Sequence, residues 1–342
     1  MRASASTSKL SDQRGGAGGG KSMLPPFSGS TARRIRSLPF DSTSLAGNGC
    51  RFSRQRCKRS IQTTDELERD LQTARAQWDH MSNTLELSIE DGLATLTLMR
   101  AERKNALTGQ MADELREVLV SLRTNPEVKA LLLTGAGSDF CSGADVSKMG
   151  DGFAAIDVLQ RMDHYNRLFG ELANFDRPVI AAVDGVAFGA GFSLALAADF
   201  VIASQRARFC MAFARIGLVP DLGATHTLPR IVGLPKAREI IYSAREVCAQ
   251  EALALGIALE VHPADRFRAR AEELARSMSN LSTVAFGLTK RLLSRSFEVD
   301  LAAQLDAETN AQAVAMSSPY VQQAAARFMR KEPALYQWPV SK

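Results

Sequence analysis

The sequence predicts an α/β fold that ends in a helical region. Between residues 85 and 204, short strand-type segments alternate with segments of helical periodicity, and beyond Gly233 the pattern is mostly helical to about residue 331. Alternation of this kind favours a parallel sheet whose strands are joined by right-handed helical crossovers. The apolar fraction of 45% and the charged fraction of 23% are ordinary for a globular enzyme.

The first elements are two strands, a helix and a third strand. The stretch LELSIEDGLATLTLM, residues 85–99, predicts two strands around a turn at Asp91–Gly92. Thr108 is a good N-cap for the helical pattern GQMADELREVLVSLR that follows it. KALLLTG, residues 129–135, is short and apolar at its centre, which indicates a buried strand.

The next elements repeat the alternation. Residues 155–174 have helical periodicity, and PVIAAVDG, residues 178–185, predicts a short apolar strand. GAGFSLALAADF predicts a helix that begins in glycines, and the strand FVIAS, residues 200–204, follows it. The sequence therefore predicts at least three strand–helix repeats ahead of the helical region.

The first 60 residues differ from the rest in charge and composition. They hold 12 Lys/Arg against two Asp, whereas the remainder holds 30 Lys/Arg against 35 Asp/Glu. We expect residues 1–63 to be a disordered basic tail, and residues 64–82 to be a linker or short helix. A core over 83–275 and a C-terminal helical region over 276–342 follow. Two origins of the tail stay open, an organelle transit peptide or a misassigned translation start with the true start at Met81.

Several classes of partner are not expected. The part beyond residue 60 is mildly acidic and offers no general basic surface for nucleic acid, and no apolar run reaches the length that spans a bilayer. The five cysteines and four histidines show no metal-ligand spacing, which indicates reduced thiols and no metal. GGAGGGKS, residues 15–22, matches a phosphate-binding loop, but no strand precedes it and two prolines follow it, so we expect no nucleotide there.

Three glycine-rich segments carry the candidate chemistry. Small residues in FCSGADV, residues 140–146, let a ligand approach the backbone, although a plain tight turn would look the same. The glycines of DGVAFGAGF, residues 184–192, lie at a strand end and a helix start, where free N–H groups could stabilise an oxyanion or simply allow close packing. GLVPDLGAT, residues 217–225, holds one carboxylate, Asp221, which is either catalytic or a turn-capping residue.

The order and spacing of these segments resemble the crotonase (enoyl-CoA hydratase/isomerase) superfamily from Leu85 to Pro333. The matching pieces are RKNAL (103–107), FCSGAD (140–145), PVIAAVDGVAFGAGFSLALAAD (178–199) and FARIGLVPDLGATHTLPRIVG (213–233). The resemblance implies a crotonase-like spiral of ββα units with a C-terminal helical region, assembled as a homotrimer or dimer of trimers. It also implies an acyl-CoA substrate, with no cofactor beyond the coenzyme A in the substrate. We expect a cytoplasmic enzyme, or a mitochondrial one if residues 1–60 are a transit peptide.

The resemblance also implies roles for individual residues. The backbone N–H groups of Ala144 and Ala190 would hold the thioester oxygen, and Asp184 stands where many members have His. Residues that resemble the coenzyme A contacts of the family are Arg103, Lys104, Ala106, Ser142, Gly143, Ala144, Asp145 and Val146.

The reaction follows from which carboxylates are present. Hydratases of the family carry two glutamates, and the matching positions here are Ser193 and Phe213. Addition of water needs a group that orients and deprotonates it, so hydratase activity is disfavoured. Asp221 remains as the base of an enoyl-CoA isomerase, and an apolar wall of Phe213 and Leu218 would raise its pKa by desolvation.

The text around Asp221 most resembles the 2-(1,2-epoxy-1,2-dihydrophenyl)acetyl-CoA isomerase branch, which suggests phenylacetate or fatty acid degradation. The alternatives are a hydratase, a dehalogenase with an aspartate nucleophile, and a non-catalytic paralogue. Of the remaining candidates, His226 is expected on a helix surface, and Cys141 and Cys210 as small buried residues. Ser193 lacks an adjacent base as a nucleophile. Residues expected either near the acyl pocket or in ordinary packing are Met149, Phe153, Met162 and Tyr165.

Overall fold

A computed structural model of the chain describes residues 84–147 and 154–340. The predicted tail, the linker, Met81 and the glycine-rich segment at 15–22 lie outside the described residues, as do Met149 and Phe153. The domain boundary drawn at residue 275 stays a prediction.

Nine strands form within the described residues, and all five strands expected from the sequence are among them. In chain order they are β1 (Leu85–Glu90), β2 (Leu93–Leu98), β3 (Ala130–Gly135), β4 (Val179–Val183), β5 (Val186–Phe188), β6 (Phe200–Ser204), β7 (Arg208–Cys210), β8 (Val247–Cys248) and β9 (Glu260–His262). Six of them make one sheet in the order β1-β2-β3-β4-β6-β9. Only the β1–β2 hairpin is antiparallel within that sheet, which confirms the predicted parallel arrangement.

The other three strands make a second, smaller sheet in the order β5-β7-β8. Two isolated parallel bridges extend it, one between Cys141 and Ala187 and one between Leu107 and Ala144. The chain therefore adds to the large sheet and then to the small one in each repeat, which is the spiral that the resemblance implies.

Ten α-helices connect and cover the two sheets in the described ranges. They are α1 (Gly109–Thr124), α2 (Ala155–Ala173), α3 (Ala190–Leu196), α4 (Ala224–Val232), α5 (Leu234–Ser243), α6 (Ala249–Ala254), α7 (Phe267–Met278), α8 (Thr283–Arg295), α9 (Leu301–Met316) and α10 (Pro319–Met329). Thr108 caps α1 as predicted, since its hydroxyl accepts a 3.1 Å hydrogen bond from Met111 N. None of the described helices has the length and apolar character needed to cross a membrane.

The large sheet is buried on both faces, which explains why its central strands are continuous runs of mostly apolar residues. In β3, Leu131 and Leu133 belong to the cluster that includes α1 and α2 residues, whereas Ala130 and Leu132 belong to a second cluster covered by α7. Alternate residues of a strand point to opposite faces, so this one strand contributes to both cores.

Close backbone packing between α3 and the segment after β3 fixes the edge of the small sheet. A side chain on Gly191 would overlap the carbonyl oxygen of Cys141. Gly143 has φ +106°, and a Cβ atom there would lie 2.9 Å from Phe188 O. Both positions need glycine because the neighbouring backbone occupies the space of a side chain.

Gly191→Ala should lower the free energy of unfolding by about 1–3 kcal/mol, because the added methyl must displace backbone rather than a flexible side chain. Gly170→Ala in α2 is the matched control, since nothing lies within 4 Å of its added Cβ. The control should be neutral or slightly stabilising, as alanine favours helix. Urea unfolding of both variants measures the difference, and equal stabilities would contradict the packing described.

Candidate active site

The residues expected to contact coenzyme A come from two segments that lie side by side. Leu107 N donates to Gly143 O at 2.8 Å, and Asp145 N donates to Leu107 O at 2.9 Å. These bonds flank Ala144 in a parallel bridge. In such a bridge the N–H of the central residue points to the opposite side, so Ala144 N–H is directed away from Leu107.

Buried polar groups that sequence reasoning missed hold the two segments together. Asn105 is fully buried, and its amide donates to Ala136 O at 2.9 Å and to Asp139 O at 2.7 Å. Its side-chain oxygen accepts a 2.9 Å hydrogen bond from Arg100 N. In the sequence, Asn105 was visible only as the amide of the matching piece RKNAL, directly after two charged residues. Its role is to hold neighbouring backbone in place.

Arg100 completes this connection. Its guanidinium donates to Ala106 O and forms an ion pair with Asp145 at 3.1 Å. Hydrogen bonds from Ser147, together with the charge of Arg100, hold the pKa of Asp145 below its usual range. The carboxylate of Asp145 is thus engaged within the protein.

The remaining expected contacts lie within the same two segments and differ in exposure. The side chains of Arg103, Lys104 and Val146 are exposed, whereas Ala106 is buried. Ser142 N donates to Lys104 O at 2.9 Å, which is a further main-chain bond between the two segments.

The structure brings the second expected oxyanion donor beside the first segment. A Cβ atom placed on Gly143 would lie 3.6 Å from Ala190 N. Ala190 is the first residue of α3, so its N–H has no acceptor within the helix. In the described part of the chain, neither Ala144 N nor Ala190 N donates to a backbone carbonyl. Two free N–H groups therefore come from adjacent backbone segments.

Asp221 lies in a turn with unusual backbone geometry. Leu222 and Gly223 have φ values of 47° and 70°, both in the left-handed region. Leu222 is nevertheless 1% exposed and belongs to the core. A left-handed conformation of a branched residue is unfavourable by roughly 1–3 kcal/mol and persists only where packing imposes it. The buried Leu222 side chain thus anchors the turn that carries Asp221.

Helix α2 packs against this turn. A side chain on Gly223 would overlap the ring of Phe169. Tyr165 and Arg161 lie one and two turns earlier on the same face of the helix, because residues four apart are neighbours on a helix surface. Tyr165 is buried, which agrees with either interpretation of that residue.

The carboxyl of Asp221 is poorly compensated. Its Oδ1 atom is buried and accepts no hydrogen bond within residues 84–147 and 154–340. Burial raises the pKa of Asp221 from 3.8 to about 6, and its own backbone N–H and the charge of Arg161 oppose the rise. The expected desolvation is present. Of the two residues expected to form an apolar wall beside Asp221, Phe213 is buried. Leu218 is 43% exposed, so in the single chain it does not shield the carboxyl from water as expected.

Comparison with known proteins assigns the chain to a family. Residues 88–338 match the family model described as enoyl-CoA hydratase/isomerase. The chain belongs to this family. The predicted membership is confirmed, and the protein is an enzyme of the enoyl-CoA hydratase/isomerase type.

The similarity to individual members of the family extends over nearly the whole length of each relative. The chain is 36% identical over 246 residues to the 1,2-epoxyphenylacetyl-CoA isomerase of Escherichia coli K12, covering 71% of this chain and 94% of the relative. It is 40% identical over 258 residues to a protein of Rhodobacter capsulatus named as a probable enoyl-CoA hydratase, covering 73% and 96%. The crystal structure of an enoyl-CoA hydratase/isomerase from Cupriavidus metallidurans CH34 superposes with a TM-score of 0.73 at 37% identity, covering 76% and 98%.

The two positions where the resemblance predicts the glutamates of a hydratase hold no carboxylate. Ser193 is fully buried in α3, and its hydroxyl donates to Gly189 O at 3.3 Å. The ring of Phe213 lies 3.8 Å from the place of a Cβ on Gly189. Neither residue can deprotonate a water molecule.

The other candidates have structural surroundings. His226 is half-exposed and its Nε2 lies 3.2 Å from Glu298, which confirms the expected surface position. Burial raises the pKa of the Cys141 thiol to about 11 and also raises that of Cys210, so both behave as small buried residues. Asp184 accepts hydrogen bonds from Ser204 and Arg206. Across the described ranges, no group of three or more His, Cys, Asp and Glu side chains is placed to hold a metal.

Asp221→Asn should stabilise the protein at neutral pH. The folded state binds more protons than the unfolded state between pH 3.8 and about 6, so wild type loses stability as pH rises through that window. Asparagine carries no such penalty, and we expect a gain of about 2 kcal/mol above pH 7, allowing for partial exposure of the residue. The gain should shrink as pH falls toward 4.5.

Urea unfolding between pH 4.5 and 8 measures this gain. Asp163→Asn is the matched control, since that carboxylate lies on α2 with its side chain 56% exposed. A variant at 221 no more stable than wild type at pH 7.5 would show that burial does not destabilise the charged form.

Proposed function

We propose that the protein is an enoyl-CoA isomerase, which moves a carbon–carbon double bond of an acyl-CoA by proton transfer through Asp221. The single observation that carries this proposal is the carboxyl of Asp221, which has a buried unpaired oxygen and a pKa near 6. Such a group exchanges a proton readily near neutral pH.

The first step of the proposed reaction removes a proton. The thioester oxygen accepts hydrogen bonds from the N–H groups of Ala144 and Ala190, while Asp221 takes a proton from C2 of the 3-enoyl group. The electron pair of the broken C–H bond moves toward the thioester, and the negative charge that develops on its oxygen is stabilised by the two donors. A base with a pKa near 6 is mostly ionised at pH 7 and ready for this step.

The second step returns the same proton. The protonated Asp221 donates to C4 on the same face, the electrons of the dienolate form the C2–C3 double bond, and the carboxylate is restored. No water, oxidant or second base takes part in the proposed reaction. It therefore requires no cofactor beyond the coenzyme A that is part of the substrate.

A hydratase is the rival within the family, and the names of the relatives include both reactions. What supports the isomerase is the absence of a carboxylate at Ser193 and at Phe213, because a hydratase needs carboxylates to orient and deprotonate water. The substrate is either a 3-enoyl-CoA of fatty acid degradation or a ring-epoxide thioester of phenylacetate degradation. The latter is supported by the name of the Escherichia coli relative. A dehalogenase and a non-catalytic paralogue are the remaining alternatives.

Purified full-length protein should convert 3-enoyl-CoA to 2-enoyl-CoA, and Asp221→Asn should lower kcat by about two to four orders of magnitude. KM should change little, because the variant loses the proton transfer and keeps the coenzyme A contacts. A product assay over a short panel of enoyl-CoA and epoxyphenylacetyl-CoA thioesters measures both values.

The matched variant for this experiment is Ser193→Ala. It removes a hydroxyl whose hydrogen bond, within the described residues, goes to Gly189 O at the N-cap of its own helix, so turnover should stay at the wild-type rate. Unchanged turnover in Asp221→Asn, or hydration of crotonyl-CoA faster than isomerisation, would refute the proposal.

We also propose assembly as a homotrimer or dimer of trimers. The support is a set of exposed apolar side chains in and around α8 to α10, which water would not favour in a lone chain. These residues are Leu293, Phe297, Leu301, Val314, Met316, Phe328 and Met329. Sedimentation equilibrium should give a mass of three or six chains, and a monomer at micromolar concentration would refute this assembly.

A further inference from the structure

A chain of hydrogen bonds connects a cation to the first expected oxyanion donor. The Nη1 atom of Arg100 donates to Ala106 O at 2.6 Å, and Leu107 N donates to Gly143 O at 2.8 Å. Ala106 O and Leu107 N–H belong to one peptide group. Gly143 O and Ala144 N–H belong to a second one. Two peptide groups therefore stand in series, with the Arg100 guanidinium at one end and Ala144 N–H at the other.

The direction of the Ala144 N–H follows from this chain of bonds. A trans peptide group holds its C=O and its N–H antiparallel, and the described peptide groups are trans. Because Gly143 O points at Leu107 N, the N–H of Ala144 points the opposite way. It donates to no backbone carbonyl within residues 84–147 and 154–340, so a thioester oxygen can be its acceptor.

The main chain of Arg100 is fixed by a tight turn after β2. Arg100 O accepts from Arg103 N at 2.9 Å and from Asn105 N at 2.8 Å, while Arg100 N donates to the side chain of Asn105. Lys104 and Asn105 are both left-handed, with φ values of 50° and 54°, a conformation that needs support from its surroundings. The guanidinium thus extends from a constrained point of the backbone.

Asp145 orients the guanidinium and leaves the bond to Ala106 in place. Its Oδ2 atom lies 3.1 Å from Nη2 of Arg100, whereas Ala106 O is bonded to Nη1. Its Oδ1 atom accepts from Ser147 N at 3.1 Å. The planar fork of an arginine serves two acceptors at once in a fixed geometry. The Arg100 side chain is 18% exposed, so water screens its charge only in part.

The cation strengthens the donor at the far end of the chain, because hydrogen bonds in series polarise one another. A positive charge beside Ala106 O draws electrons along that peptide group and makes Leu107 N–H a stronger donor. The stronger bond to Gly143 O acts in the same way on Ala144 N–H. The gain is largest when negative charge develops on the acceptor, as it does on the thioester oxygen of an enolate.

We propose that Arg100 is a positioning residue of the oxyanion hole, which holds and polarises the two peptide groups that end at Ala144 N–H. This inference rests on the proposed function for its effect on turnover. Its effect on a bound thioester carbonyl is measurable with a ligand that does not react.

The kinetic test compares Arg100→Met and Arg100→Lys with wild type in the conversion of 3-enoyl-CoA to 2-enoyl-CoA. Arg100→Met should lower kcat about ten-fold, which is less than the roughly hundred- to thousand-fold cost of removing an oxyanion donor. KM should change by less than about three-fold, because the expected coenzyme A contacts remain. Arg100→Lys keeps a charged donor and should restore most of the lost rate.

Arg123→Met is the matched control for the loss of an ion-paired arginine. Arg123 lies on α1 and pairs with Glu171 at 2.9 Å, with its side chain 36% exposed. Its side-chain hydrogen bonds go to Glu171 O and Asn174 O, away from the two peptide groups. The control should keep the wild-type kcat even if its free energy of unfolding falls.

The second test measures the strength of the donor directly. A saturated acyl-CoA is labelled with the heavy carbon isotope at its thioester carbonyl, and its stretching band is followed by infrared difference spectroscopy. A stronger hydrogen bond to the oxygen lowers the stretching frequency. The band should lie below its position in water in wild type, and it should move back toward that position in Arg100→Met and stay near the wild-type position in Arg100→Lys.

Two checks accompany the infrared measurement. Isothermal titration calorimetry shows that each variant binds the saturated acyl-CoA, and circular dichroism shows that each is folded. Arg100→Gln replaces Arg100→Met if the latter is not folded, since it also removes the charge.

The outcomes separate the inference from the proposed function. A wild type without isomerase activity, together with a band that moves in Arg100→Met, refutes the proposed function and supports the inference. An unchanged band in a folded variant that binds the ligand overturns the inference, even where isomerase activity is confirmed. The inference also fails if wild type leaves the band at its position in water, if Arg123→Met moves it equally, or if lysine does not restore it.

Discussion

The structure depends on contact between backbone segments that leaves no room for side chains. The start of α3 presses Gly191 against the carbonyl of Cys141, and the loop after β3 brings Gly143 against the carbonyl of Phe188. This contact places the start of α3 beside the segment that holds Ala144. Fold and candidate site share one constraint, because the same carbonyls that exclude side chains also set where two N–H groups point.

Asp221 is the second constraint, because the protein holds its carboxyl where burial disfavours the charged form. The turn is kept by a left-handed Leu222 whose side chain is buried, and the carboxyl is partly removed from water. Both features reduce stability locally, and the surrounding core compensates for them. A group so placed has a pKa near the pH at which it would work, whereas a solvated aspartate would hold its proton too weakly.

Much of the fold was predictable because local signals matched the final structure. The β1–β2 hairpin, the Thr108 cap and the buried strands β3 and β4 each had a turn, a cap or an apolar run. Strands β5, β7, β8 and β9 could not be predicted, since two or three residues carry no periodicity and their partners are distant in sequence. The candidate site divides in the same way. Asp221 stood out in the sequence as a lone carboxylate in a motif, whereas the role of Asn105 follows from hydrogen bonds to residues distant in sequence.

The bridge between Leu107 and Ala144 has a consequence for how such a site is probed. The two proposed donors are main-chain groups of residues that are already alanine, so an alanine scan passes over them without effect. Substitutions that keep the amide report on them only through distortion of the backbone, and proline, which removes the N–H, also fixes φ and adds a ring. Replacing the amide by an ester at residue 144 or 190 would remove one N–H while leaving the shape of the chain, and chemical synthesis of the backbone becomes the natural form of mutagenesis for this half of the site.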